Sequence, residues 1–218
     1  EEYGVEWVYA PVPLAHPLDD GPAVILERSV EETARGLSAD EKAYRRLMGP
    51  LMRDWEKVAS YILSPFPNIL PDLPLMAFFG LNALQTVQGL AKLWFKTERA
   101  RALFAGLGSH SMLALDLPGS AAFGLMLGIA AHVTGWGIVK GGAQNFSDAL
   151  GKYFCSLGGE IITGVEVRSM DDLPPSRQVI FDLTPRQVLR IAGNRFSPRY
   201  TRQLQKYRYG MGVFKVDW

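Results

Sequence analysis

From Gly119 to Val139 the chain runs for 21 residues without an Asp, Glu, Lys or Arg side chain. Such a run has two outlets. About 20 apolar residues are what a helix needs to cross a bilayer, and the alternative is the centre of a globular core. The run holds Ser120, His132, Thr134 and four glycines after Gly119, and Asp116 and Pro118 stand just before it. These polar and helix-weakening residues argue for a helix buried in protein, and they leave a peripheral membrane contact open. The rest of the chain can supply that core: of 218 residues 48% are apolar and 21% charged, which excludes disorder as the main state and fits one ordinary domain or two small ones.

Charge is unevenly spread although the net value is only +1: residues 1–41 hold ten acidic and two basic side chains, residues 177–218 nine basic and two acidic. Such polarity either ties two ends of a fold together or marks a basic docking face. Cys155 is the single cysteine, so no internal disulfide forms, and no Cys/His spacing suits a structural metal. The opening EEYGVEWVYA has neither a basic nor an apolar signal region, which points to a cytoplasmic protein, peripheral to a membrane at most. An abrupt acidic strand-like start and a strand-like finish at Trp218 read as an excised segment.

Val5, Trp7 and Tyr9 alternate as in a strand, and Ala23 to Leu26 form a second after the turn at 19–22; the two are expected to pair. Ser29 to Glu32 and Ser38 to Glu41 each have the spacing of a capping box and announce helices. Tyr44, Leu47, Met48, Leu51, Trp55, Val58, Ala59 and Ile62 form one helical stripe, kinked by Pro50. Pro65, Pro67, Pro71 and Pro74 forbid regular structure around them; 75–95, 98–107 and 111–139 then have helical composition. After Gly141-Gly142 an amphipathic helix (Phe146, Ala149, Leu150, Tyr153, Phe154) closes on a glycine C-cap at 158–159. Strands are expected at 160–163, 165–167, 179–182 and 210–218, with Thr184-Pro185 and Ser197-Pro198 opening two more helices.

Little in the sequence carries chemistry by itself. No GxGxxG or GxxxxGK[ST] phosphate-binding loop occurs; Gly135 to Lys140 lacks the third glycine. His16, His110 and His132 are scattered, Gly108-Ser-His-Ser111 is not a nucleophile elbow, and Lys215 with Asp217 reads as an ion pair on one strand face. Arg186, Arg190, Arg195, Arg199, Arg202, Lys206 and Arg208 interleave with Phe196, Tyr200, Tyr207 and Tyr209. That pattern allows a nucleic-acid surface, but no binding motif accompanies it, and a solvated helix face is preferred.

Three runs carry a resemblance: Gly135-Trp-Gly-Ile-Val-Lys-Gly-Gly-Ala-Gln144, Ser147-Asp-Ala-Leu150, and Leu157-Gly-Gly-Glu-Ile-Ile-Thr-Gly-Val-Glu-Val167. Glu31-Glu-Thr33, Glu98 to Gly106, Ser109-His-Ser111, Asp182 to Gln187 and Tyr207 to Trp218 agree with it. Together they resemble phytoene-desaturase-like FAD-dependent oxidoreductases, in the branch that includes pyridine nucleotide-disulfide oxidoreductase domain-containing protein 2. The likeness covers nearly the whole chain, with Gly137 where that family usually has proline and Ala143 where it has serine.

The resemblance implies a substrate-domain segment that lacks the family's N-terminal Rossmann part and C-terminal flavin-binding segment. It implies FAD, held in the full-length protein rather than by this segment alone, with Val167 at the adenine end through its backbone and Leu183 and Thr184 near the same pocket. The expected fold is α+β: a mostly helical substrate-binding domain with a small mixed or antiparallel sheet, plus a helix-strand-strand unit belonging to the FAD domain. Residues 1–139 form the first part of the substrate domain, 140–192 return to the FAD domain, and 193–218 complete the substrate domain with a helix and strand.

The implied reaction moves a hydride from an apolar substrate, such as a lipid or polyene, to the flavin. Phe78, Phe79, Leu81, Leu84, Trp94, Phe95 and Phe104 are the candidates for an apolar substrate chamber, and no side chain is nominated as an acid, base or metal ligand. The expected partners are that substrate and the flavin domain of the same chain, not nucleic acid, with self-association as another way to cover apolar patches. A stand-alone helical binding module without cofactor is the alternative from another class.

Overall fold

A computed structural model describes residues 3–65, 72–210, 212–214 and 216 and divides the chain into two units, Glu1–Tyr153 and Phe154–Trp218. In the first unit the uncharged run resolves into α7 (Ser120–Val133), entered through Gly119 at φ 84°, and β4 (Gly137–Val139). No helix among the described residues is long and apolar enough to cross a membrane. Several sides of α7 are covered: Ala121, Leu125, Ile129, Ala131 and His132 are all buried.

Its closest neighbour is α6 (Glu98–Ser109). Glycines let the helices approach: a Cβ at Gly124 would lie 3.0 Å from the Phe104 ring, and one at Gly108 would strike Val87. Around this pair stand α1 (Val30–Gly36), α2 (Glu41–Arg53), α3 (Trp55–Ile62), α4 (Leu73–Ala83) and α5 (Val87–Trp94). Leu37, Leu47, Met48, Leu51, Leu90, Leu103 and Leu107 fill the space between them at no more than 1% exposure each, the packing of a dry interior.

Local signals account for most helix ends. Ser29 Oγ accepts from Glu32 N at 3.3 Å, Thr97 Oγ1 from Ala100 N at 3.3 Å, and Thr86 Oγ1 from Gly89 N at 2.8 Å, the last dividing 75–95 into α4 and α5. The capping box expected at Ser38 is not formed. Ser38 takes φ 52° in a short 3₁₀ turn, Ser38–Asp40, and the buried Asp40 carboxylate turns away to accept from Lys96 N (2.8 Å), Thr97 N (2.7 Å) and Thr97 Oγ1 (2.6 Å). It thereby ties the start of α6 to the start of α2. Pro50 lies within α2, and the stripe breaks at Asp54 rather than near Met48.

The sheets are antiparallel and two-stranded. β1 (Trp7–Tyr9) pairs with β4, Trp7 opposite Val139, and β2 (Leu14–His16) pairs with β3 (Val24–Leu26), Leu14 opposite Leu26. The expected pairing of β1 with β3 is therefore replaced. The nearer hairpin partner at 14–16 takes β3, and Lys140 N bonding Glu6 O at 2.9 Å extends the ladder of β1 with β4.

α8 (Ala143–Ser156) spans the division between units, and in the second unit Gly158 (φ 86°) ends it as expected. α9 (Pro185–Ala192) and α10 (Pro198–Gln205) follow from their Thr184 and Ser197 caps. The mostly helical α+β class holds, but no strand forms at 160–163, 165–167 or 179–182, nor at 210, 212–214 or 216. Extended backbone becomes a strand only against a partner ladder, and none lies beside these segments among the described residues. Lys215, Asp217 and Trp218 lie outside those residues.

Two glycines test the packing with opposite signs. Gly108→Ala is expected to destabilise the chain by about 1–3 kcal/mol through overpacking against Val87. Gly80→Ala, in α4 with nothing within 4 Å of its absent Cβ, should stabilise it by about 0.5–1 kcal/mol through helix propensity. Urea unfolding of both variants checks the pair.

Candidate functional site

In the second unit the start of α9 is fixed by hydrogen bonds from Thr184 to Gln187. Thr184 N and Thr184 Oγ1 donate to Gln187 Oε1 at 3.0 and 2.8 Å. With that start set, Gln187, Arg190 and Ile191 follow at helical spacing and face the extended segment that enters the helix. The other border is set by Asp172, whose carboxylate accepts from Arg168 N (2.8 Å) and Ser169 N (3.0 Å) just after Val167. Those backbone donors hold Asp172 below the usual carboxylate pKa. Tyr209 Oη accepts from Arg186 N at 3.1 Å, and the Arg186 guanidinium lies 5.3 Å from the centre of the same ring.

Between these borders is a cavity of about 340 Å³ lined by Val165, Val167, Ile180, Phe181, Asp182, Leu183, Gln187, Arg190 and Ile191. Val167 and Leu183, both expected near a cofactor, stand in its wall; Thr184 does not, and acts as the cap that aims α9. Sequence reasoning missed Val165, Ile180, Phe181, Asp182, Gln187, Arg190 and Ile191. The strand alternation at Val165 and Val167 and the helical spacing after Thr184 were the available signals. Among the described residues neither Asp182 nor Arg190 carries an ion pair, so one carboxylate and one guanidinium line a cavity of mixed polar and apolar character.

The backbone around this cavity is unusual. Among the described residues no backbone hydrogen bond engages 160–167 or 179–183, although Ile161, Ile162, Val165, Val179, Ile180 and Leu183 expose apolar side chains there. Such segments are open to pairing and to ligand contact along both polar edges.

The seven chamber candidates do not share one wall. Phe95 and Phe104 are core residues at 1% and 3% exposure with ring centroids 6.2 Å apart, and Phe79 is buried beside them in the same core. Phe78 meets Trp94 edge-on at 6.1 Å, and Trp94 Nε1 donates to Asn82 Oδ1 at 2.9 Å. Leu81 and Leu84 face outward, 71% and 72% exposed. The apolar middle of the sequence is thus divided between packed residues and outward-facing ones. No family model, curated protein or solved structure matches this chain. Among the described residues no group of three or more His, Cys, Asp or Glu side chains is placed to hold a metal ion.

One buried titratable pair belongs to the first unit. His132 Nδ1 must donate to Arg28 O (3.1 Å), a carbonyl that only accepts, which leaves Nε2 to accept from Tyr44 Oη at 2.7 Å. Burial disfavours the charged ring, and the neutral form that satisfies both bonds carries its proton on Nδ1. Burial lowers the His132 pKa and raises that of Tyr44.

Because His132 stays neutral when folded and charges more readily when unfolded, its contribution is full above the unfolded pKa of about 6.5 and falls as the pH drops below it, by at most about 1.4 kcal/mol per pH unit. Unfolding free energies at about pH 7.5 and pH 5 should differ less in His132→Gln than in the unaltered chain. Tyr44→Phe leaves Nε2 without a donor and should cost about 1–3 kcal/mol at the higher pH.

Proposed function

We propose that this chain is the central, substrate-binding segment of an FAD-dependent oxidoreductase of the phytoene-desaturase type, which transfers a hydride from an apolar substrate to the flavin. The observation that supports the reading is the meeting of Val167 and Leu183, which the resemblance puts near one pocket, in the wall of one cavity.

The residues present fit an adenosine end. Val165, Val167, Ile180 and Ile191 offer apolar faces to a flat ring, and the free N–H and C=O groups of 165–167 match the mixed donor and acceptor edge of adenine. Asp182, Gln187 and Arg190 provide polar groups at the margin. On this reading these residues bind and orient the cofactor, Thr184 and Gln187 keep α9 in place behind it, and the flavin supplies the redox chemistry when bound. No side chain of this chain has to move a proton.

Sparse burial in the second unit supports the same reading. Of its described residues only Ile191 and Ala192 are buried apolar ones, far short of what offsets the ordering entropy of a domain. Unpaired, apolar-bearing segments at 160–167 and 179–183 are what a second lobe with its own strands would cover.

Expression of the complete open reading frame that contains this segment should give a yellow protein with flavin absorption bands that bleach on reduction. Val167→Asp should lower flavin occupancy about tenfold or more by placing a charge against the ring, with far-UV circular dichroism unchanged. A colourless full-length protein, or full occupancy in Val167→Asp, would overturn the reading.

A further inference from the structure

A second cavity, of about 590 Å³, lies in the first unit where the ladder of β1 and β4 meets the start of α8. Trp7 and Val139 stand opposite each other in the ladder, and Phe146 closes over them from the first turn of α8, its ring centroid 6.1 Å from that of Trp7 and tilted by 55°. Between them the floor is glycine: Gly141 and Gly142 take φ 79° and 99° and lead the backbone under the cavity without side chains. Two hydrogen bonds fasten the loop. Gly142 N donates to Val139 O at 3.0 Å, and Asn145 Nδ2 donates to Lys140 O at 2.9 Å. The one charged side chain in the wall, Lys140, is engaged by both Glu6 oxygens at 3.0 Å.

We propose that this cavity binds an uncharged, flat, largely apolar small molecule. Its volume falls within the range of about 300–1,000 Å³ typical of small-molecule sites. Trp7 and Phe146 pack against each other, and the ring surface they leave exposed, 51% and 41%, offers a planar body an apolar face to lie on. With Lys140 already neutralised by Glu6, nothing in the wall selects for a charged ligand. A macromolecular partner is disfavoured by size, because ten residues form the wall whereas a stable protein interface uses about 20–30 a side. The site is built wholly from residues before Tyr153 and does not require a flavin at Val167.

Nile red, an uncharged flat dye, is the probe, titrated into the full 218-residue chain. Saturable one-to-one binding with blue-shifted emission is expected. Ile138→Glu, at a wall residue 64% exposed and therefore tolerant of change, should weaken it about tenfold or more. Leu150→Glu, on α8 but outside the wall, should stay within about twofold. Binding by Ile138→Glu equal to that of the unaltered chain overturns the proposal. So does an equal loss in Leu150→Glu, which would mark a broad face for a macromolecule or a second copy. Nuclear Overhauser contacts between the dye and the Trp7 indole give a reading that needs no variant, and their absence at saturation also overturns it.

Discussion

Where α7 crosses α6 the two backbones come so close that a side chain at Gly124 would meet the Phe104 ring at 3.0 Å. Filling that gap turns Phe104 toward Phe95 (6.2 Å), which meets Tyr44 of α2 (6.4 Å), which meets His132 of α7 (5.8 Å). The circuit of aromatic contacts closes on the helix where it began. Polar bonds fasten the same circuit, with Asp40 holding the backbone beside Phe95 and His132 holding the Arg28 carbonyl. The uncharged run therefore specifies a core because small residues and one neutral histidine let it sit among aromatic rings.

The second unit is organised by different forces. Its fixed points are local hydrogen-bonded caps at Ser169, Thr184 and Ser197, together with the Arg186–Tyr209 contact between residues 23 apart in the chain. Caps position helix ends but do not exclude water, and each is worth about 1 kcal/mol. A fold held in this way has its geometry set before its interior is filled. Val165, Ile180 and Leu183 thus lie open beside unpaired backbone in the wall of the cavity.

Features encoded within a few residues were legible in the sequence. The Ser29, Thr184 and Ser197 caps and the Gly158 stop depend on a side chain or a missing Cβ at one position, so the helices they bound stand where their spacing put them. Partner choice was not legible. β1 reaches across more than a hundred residues to β4, and nothing in Val5, Trp7 and Tyr9 distinguishes that partner from the nearer β3. Ser38 misled for a related reason: Ser38 to Glu41 has the spacing of a capping box, and the three donors that instead fix this turn through Asp40 come from residues 96 and 97.

The chamber candidates show how composition hides the difference between a lining and a core. α4 and α7 are apolar on nearly every side, so periodicity cannot say which residues face a neighbour and which face a void. Packing decides it: Phe79, Phe95 and Phe104 are surrounded, while Leu81 and Leu84 of the same stretch are left outside. A cavity needs something to hold its walls apart. At Trp7 and Phe146 that spacer is a strand ladder joined to a helix through two left-handed glycines, and at Val167 it is a capped helix standing off extended backbone. Both spacers combine elements that come together only in three dimensions, and for that reason neither cavity can be read from a stripe of apolar residues.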